Sequence, residues 1–188
     1  MRNPGQASFE EYKCLRETIC RRAPCNLLVF GLGRDSRLWV DSNCGGRTVF
    51  LEHVPAWIEQ TQSDVADAEI YTVEYDTRRF QWRWLLNKPK RLFMASIPNG
   101  LIATDWDIIF VDAPAGTRWK SPGRMKSIYT AAVLARESGD TDVFVHDCDR
   151  KVERAYSDNY LGDADLLEVV DTLRHYYVGR APTADETG

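Results

Sequence analysis

Two glycines and four strand-end polar residues are placed to do chemistry in this chain. Gly31-Leu32-Gly33 closes the apolar run NLLVFG and leads into Arg34-Asp35-Ser36. Glycines at such a turn let a ligand lie against bare backbone. Glu52 ends a second apolar run, TVFLE, about 20 residues on, where a carboxylate would hold a ribose hydroxyl pair. Asp112 ends WDIIFVD, and His146-Asp147 follow VFV. An imidazole whose pKa lies near neutrality can act as a general base at such a position. Asp112, His146 and Asp147 together could instead hold a divalent cation through hard donors. His146 could also be purely structural, and these readings stay open at this point.

The turn narrows the cofactor. GLGRDS lacks the third glycine of GxGxxG, and no GK[ST] follows, which excludes a Walker loop. Asp35 and Ser36 would repel a diphosphate or cap a helix, yet they tolerate the cationic amino-acid end of S-adenosylmethionine. A methyl donor is therefore favoured over a dinucleotide. Methyl transfer needs an acceptor aligned with the sulfonium carbon and a route for its proton. Arg124 has the planar fork to pair an acceptor carboxylate, although a helix-start arginine often faces water. Trp119, like Trp82 and Trp84, could stack on a sugar ring or adenine, or plug the core.

These residues need elements to carry them. Ser8–Arg22 reads as a helix with Ser8 at its N-cap and Phe9, Tyr12, Leu15 and Ile19 toward the core. Strands are expected at 26–30, 48–51, 70–75, 106–112 and 142–145. Helices are expected at 36–42, 55–62 (with Trp57 and Ile58 inward), 125–137 and 151–160. Residues 78–103 should be partial helix and loop. LLEVVDTLRHYYVG suggests a hairpin turning at Asp171 or Thr172, and 181–188 should be disordered. NLLVF, IIFV and VFV are near-continuous apolar runs, as buried parallel strands require. The alternation predicts an α/β, Rossmann-like doubly wound sheet, mostly parallel with a C-terminal antiparallel hairpin, in one domain over 1–180.

The chain has 188 residues, 44% hydrophobic and 28% charged, with net charge −4, an ordinary globular balance. Nucleic acid is not an expected partner, since a basic domain would mark one. Lys88, Lys90 and Arg91 read as a solvated loop. No apolar run approaches the roughly 18 residues of a membrane helix, so no membrane partner is expected. Five cysteines, with no CxxC, read as free thiols, with a Cys14–Cys20 pair in an oxidising lumen as the alternative. A zinc site is not expected, because none of the three histidines has ligand spacing to a cysteine.

Five motifs carry a resemblance. CNLLVFGLGRDSRLW, GGRTVFLE, WDIIFVDAPAG, SPGRM and TDVFVHDCDRKVE resemble the plant glucuronoxylan 4-O-methyltransferases and their irregular-xylem and arabinogalactan-methylating relatives. The likeness runs from Pro24 to Tyr160, in order. It implies the class I methyltransferase fold, S-adenosylmethionine, and methylation of a glucuronic acid hydroxyl in polysaccharide biosynthesis. The strand-end acids also resemble metal-dependent catechol-type O-methyltransferases. Two places depart from the pattern: Phe80–Leu101, rich in Trp and basic residues, and Glu52-His53, where the family has an acid pair. Plant members carry a Golgi membrane anchor, so the expected location is cytoplasmic for the chain as given, or the Golgi lumen if a native anchor was removed. The acceptor is expected to be a sugar acid or another small molecule. A non-catalytic protein that kept the fold is the remaining alternative.

Overall fold

The computed structural model describes residues 7–179. The expected disordered tail at 181–188 lies outside them. Helix α1 (Phe9–Arg22) opens on a reciprocal cap. The Ser8 hydroxyl accepts from the Glu11 amide at 3.2 Å, and the Ser8 amide donates to Glu11 Oε2 at 2.5 Å. Strands β1 (Leu27–Phe30), β2 (Thr48–Glu52), β3 (Glu69–Thr72), β4 (Ile108–Val111) and β5 (Thr141–Val145) then alternate with helices α2 (Ser36–Ser42), α3 (Pro55–Thr61), α4 (Trp82–Leu85), α5 (Asn99–Ile102) and α6 (Met125–Ser138). Helix α7 (Lys151–Tyr160) precedes the hairpin of β6 (Leu166–Val170) and β7 (Leu173–Val178).

The seven strands order as β3-β2-β1-β4-β5-β7-β6, parallel from β3 to β5 and antiparallel at β7 and β6. This is the expected class I methyltransferase architecture. The second strand of the hairpin inserts beside β5 and the first forms the edge. The central strands are buried on both faces. Leu28, Phe30, Ile109, Val111, Val143 and Val145 pack toward α6, α7 and the 82–102 segment. Leu27, Val29, Ile108, Phe110 and Phe144 face Leu15 and Ile19 of α1 and Trp39 of α2. Each fully buried side chain of this size contributes about 1.5–3 kcal/mol relative to exposure.

Some inward assignments fail. Phe9 is 77% exposed, and Trp57 is 38% exposed on the short helix α3, where it lines the cavity at the strand ends. Strand β3 stops at Thr72, three residues short of the expected end. The 78–103 segment is short helices and loop, as its composition predicts, and all five cysteines are free.

Candidate active site

Strand order reverses between β1 and β4, and the carboxyl ends of these strands open into a cavity of about 640 Å³. Gly31, Gly33, Asp35, Ser36, Glu52, Asp112, Arg124 and Asp147 all line it. Gly31 has φ +119°, a conformation that side chains rarely adopt, and a Cβ there would sit 3.0 Å from the Ala113 Cβ. The first turn is thereby pressed against the turn after β4. The Ser36 hydroxyl accepts from the Gly33 amide at 2.9 Å, so it holds the turn rather than capping α2. Asp35 makes no side-chain cap; its carboxylate accepts from the Tyr12 hydroxyl at 3.2 Å. Burial and the neighbouring Asp112 charge raise the Asp35 pKa.

Glu52 is 3% exposed, at the end of β2. Its Oε2 accepts from the Leu32 amide at 2.9 Å, and its Oε1 accepts from the His53 and Val54 amides at 2.7 and 2.8 Å. Burial pushes its pKa up, but the hydrogen bonds from His53, Leu32 and Val54 outweigh that and keep it a carboxylate. It buckles the glycine turn to the β2 exit and faces the cavity with its remaining lone pairs.

The opposite wall is a charge network. Arg124, 5% exposed at the start of α6, places Nη2 3.0 Å from Asp112 Oδ1 and 2.6 Å from Asp147 Oδ2, while Nη1 donates to the His146 carbonyl at 2.7 Å. Arg150 adds a second cation, 2.7 Å from Asp147. Asp147 sits at φ +65°, a backbone state that costs energy for a residue with a Cβ. The ion pairs hold it there. His146 Nδ1 lies 2.7 Å from Asp112 Oδ1, and Nε2 lies 3.6 Å from Glu11 Oε2. Desolvation alone would raise the Asp112 pKa; Arg124 and His146 reverse it to a net depression. Desolvation alone would lower that of His146; the Asp112 hydrogen bond and charge reverse it to a net rise.

This geometry revises three expectations. His146 is 4% exposed and does not line the cavity: its Nδ1 faces Asp112, which stands between it and the cavity, and its Nε2 faces the buried Glu11. It stands behind Asp112 rather than against an acceptor. Arg124 lines the cavity, but its Nη2 is shared by Asp112 and Asp147 and its Nη1 donates to the His146 carbonyl, so its fork is already engaged within the wall. Trp119 is 65% exposed, stacks on Phe80 at 5.9 Å, and lies outside the cavity lining. Asp112, His146 and Asp147 do bring donor atoms within 4.8 Å of one another, a set suited to a hard divalent ion, with Arg124 as competitor for both carboxylates.

Sequence reasoning missed four contributors. Glu11 and Tyr12 reach the site from α1, where the sequence marks Tyr12 only as a packing residue and Glu11 only as a first-turn acid. Arg150 looks like an ordinary helix start. Glu153 is fully buried beneath Gly116, and neither carboxylate oxygen has a hydrogen-bond partner. Burial raises its pKa. Only its place in the motif HDCDRKVE hinted at the site.

The family model described as IRX15/IRX15L/GXM matches residues 10–91 and 78–176. The chain belongs to this family. Among Arabidopsis thaliana relatives, glucuronoxylan 4-O-methyltransferase 2 is 38% identical over 191 residues, covering 92% of this chain and 66% of that protein. Arabinogalactan O-methyltransferase 2 is 37% identical over 198 residues, covering 94% and 68%. Protein IRREGULAR XYLEM 15 is 37% identical over 199 residues, covering 92% and 61%. This IRX15/IRX15L/GXM member thus spans about two thirds of the length of such relatives. Among solved structures, a methyltransferase-like protein from Silicibacter pomeroyi aligns with TM-score 0.52 at 15% identity, covering 100% of this chain and 91% of that one. A TehB-like SAM-dependent methyltransferase from Corynebacterium glutamicum aligns with TM-score 0.53 at 10% identity, covering 94% and 90%. These two bear on the fold alone. Among the described residues of this family member, no helix is long and apolar enough to cross a membrane.

Proposed function

We propose that this protein transfers a methyl group from S-adenosylmethionine to a hydroxyl of a sugar acid, of the glucuronic acid 4-OH type, within a polysaccharide or glycoconjugate. The observation that carries this reading is one cavity, at the topological switch, that joins the Gly31–Gly33 turn and Glu52 to the Asp112–Asp147–Arg124 network. The names of relatives at 37–38% identity supply the acceptor class. When bound, S-adenosylmethionine supplies an activated methyl group on a sulfonium centre.

The chain's residues divide the remaining work. Glu52 accepts hydrogen bonds from the ribose, and the bare backbone of Gly31 and Gly33 lets the donor approach. Asp35 faces the ammonium end. Asp112, the carboxylate that both lines the cavity and touches His146, accepts the proton of the acceptor hydroxyl. His146 and Arg124 fix its orientation; Arg124 also steadies Asp147. A divalent ion, where bound, would be held by Asp112, His146 and Asp147 once Arg124 releases the carboxylates, and would make the hydroxyl more acidic. Arg150, less buried than Arg124, and Arg34, which also lines the cavity, are the cations available to an acceptor carboxylate.

Calorimetry with S-adenosylmethionine and S-adenosylhomocysteine tests the donor: micromolar binding of either is expected, and none from a folded sample would remove the assignment. An acceptor panel tests the rest. A glucuronic-acid oligosaccharide should turn over; transfer only to small non-sugar hydroxyls or amines would replace the sugar reading.

A further inference from the structure

Three side chains from three elements meet between α1 and the C-terminal hairpin, and none of them lines the cavity. Cys14 Sγ lies 3.4 Å from Glu168 Oε1, and His175 Nδ1 lies 3.2 Å from the same oxygen. All three donor atoms fall within 4.8 Å of one another. A tetrahedral zinc ion with sulfur at about 2.3 Å and nitrogen and oxygen at about 2.0 Å has edges of about 3.5 Å from sulfur to oxygen and about 3.3 Å from nitrogen to oxygen. The sulfur–oxygen and nitrogen–oxygen separations, 3.4 and 3.2 Å, lie close to these edges, and the third, from Cys14 to His175, is within 4.8 Å.

The surroundings favour a ligand. His175 is 3% exposed, stacked on Phe144 at 4.0 Å, and its Nε2 lies 2.6 Å from Asp142 Oδ1. Asp142 is anchored in turn by Arg22 at 2.9 Å. With the ring proton on Nε2, Nδ1 presents a lone pair toward Glu168, an arrangement that orients metal-bound imidazoles. A β-bulge between Leu166 and Glu168 sets Glu168 opposite His175. Bulges commonly re-aim a side chain at a site.

We propose that Cys14, Glu168 and His175 bind zinc and staple α1 to the β6–β7 hairpin, with water completing the tetrahedron beside the half-exposed Glu168. On binding, the Cys14 S–H bond breaks, the Zn–S bond forms, and the proton leaves to water. Thiolate, carboxylate and dication then sum to zero, which suits a partly buried site. The staple continues a seam already begun by Glu11, whose Oε1 accepts from the Thr172 amide at 2.8 Å and hydroxyl at 2.7 Å. It therefore braces the wall behind His146 and is independent of the methyl-transfer reading.

The metal-free protein should be titrated with cobalt(II). A sulfur-to-cobalt charge-transfer band in the near ultraviolet is expected to saturate at one equivalent and to bleach when zinc is added. Because Asp112, His146 and Asp147 offer no sulfur, the band cannot arise there. Cys14→Ser should abolish the band with its circular dichroism unchanged, and Glu168→Gln should weaken zinc binding tenfold or more. Zinc should raise the melting temperature of the parent protein and not that of Cys14→Ser. No band in the parent, or a band that survives in Cys14→Ser, would overturn the proposal; the first would leave His175 as a hydrogen-bonded link between Asp142 and Glu168.

Discussion

At the residue scale, the decisive feature is the sharing of one arginine between two carboxylates. Arg124→Met would leave Asp112 and Asp147 facing each other with only Arg150 and His146 for compensation. Breaking a buried pair in this way costs about 3–5 kcal/mol. Chemical denaturation should show a loss of that size, and a loss below about 1 kcal/mol would mean that the network contributes little to stability. Asp112→Asn keeps the shape but removes the proton acceptor. Turnover should drop by a factor on the order of 10²–10⁴, while calorimetric donor affinity stays within about threefold. Turnover that survives the change would take Asp112 out of the proton path. His146→Gln should have a smaller effect, because it orients Asp112 without touching an acceptor.

At the element scale, the site is a product of two turns pressed together. Gly31 at the end of β1 has a backbone conformation that only glycine adopts readily, and its missing side chain makes room for Ala113 after β4. Gly31→Ala should therefore cost about 1–3 kcal/mol and weaken donor binding together. Intact donor affinity in a destabilised variant would show that the two turns need not touch for binding. The glycine turn, the strand-end acids and the cap at Ser8 were all legible in the sequence, because each depends on a local pattern: an apolar run, a punctuating glycine, or a polar residue one step before a helix. Phe9 and Trp57 were misplaced for the converse reason. Helical spacing reports which residues share a face, but not whether packing or a cavity lies against each of them, and Trp57 lines the cavity.

At the scale of the whole molecule, stability should depend on pH through two opposing sets of groups. Glu11, Glu52, Asp112 and Asp142 are held below their ordinary values, because hydrogen bonds and cations outweigh burial. Their stabilisation is complete above the unfolded values of about 4 and is lost as pH falls through the lower folded ones. The carboxyls of Asp35 and Glu153 are held above their ordinary values, so their contribution falls as pH rises from about 4, and His146 is held above its own. Its stabilisation is complete below about 6.5 and is lost as pH rises through the folded value. The melting temperature should peak between about pH 5 and 6.5 and decline on both sides. His146→Gln should flatten the alkaline decline; an unaltered decline would assign it to another group.

The sequence by itself determined the doubly wound architecture, the order of its strands' motifs, and which residues end those strands. Apolar runs and breakers act over a few residues, and parallel strands must place their carboxyl ends along one edge. Only the tertiary structure decided what each of those residues touches. It set His146 behind Asp112, because β5 packs against β4 and α1 covers it from the other side. It turned Arg124 inward, because the carboxylates of Asp112 and Asp147 converge on its Nη2. It also brought Cys14 to Glu168 and His175, a meeting of residues more than 150 positions apart in the chain. Ligand spacing along a sequence could not have revealed it, since the three belong to a helix and two strands that meet only when the hairpin closes over α1.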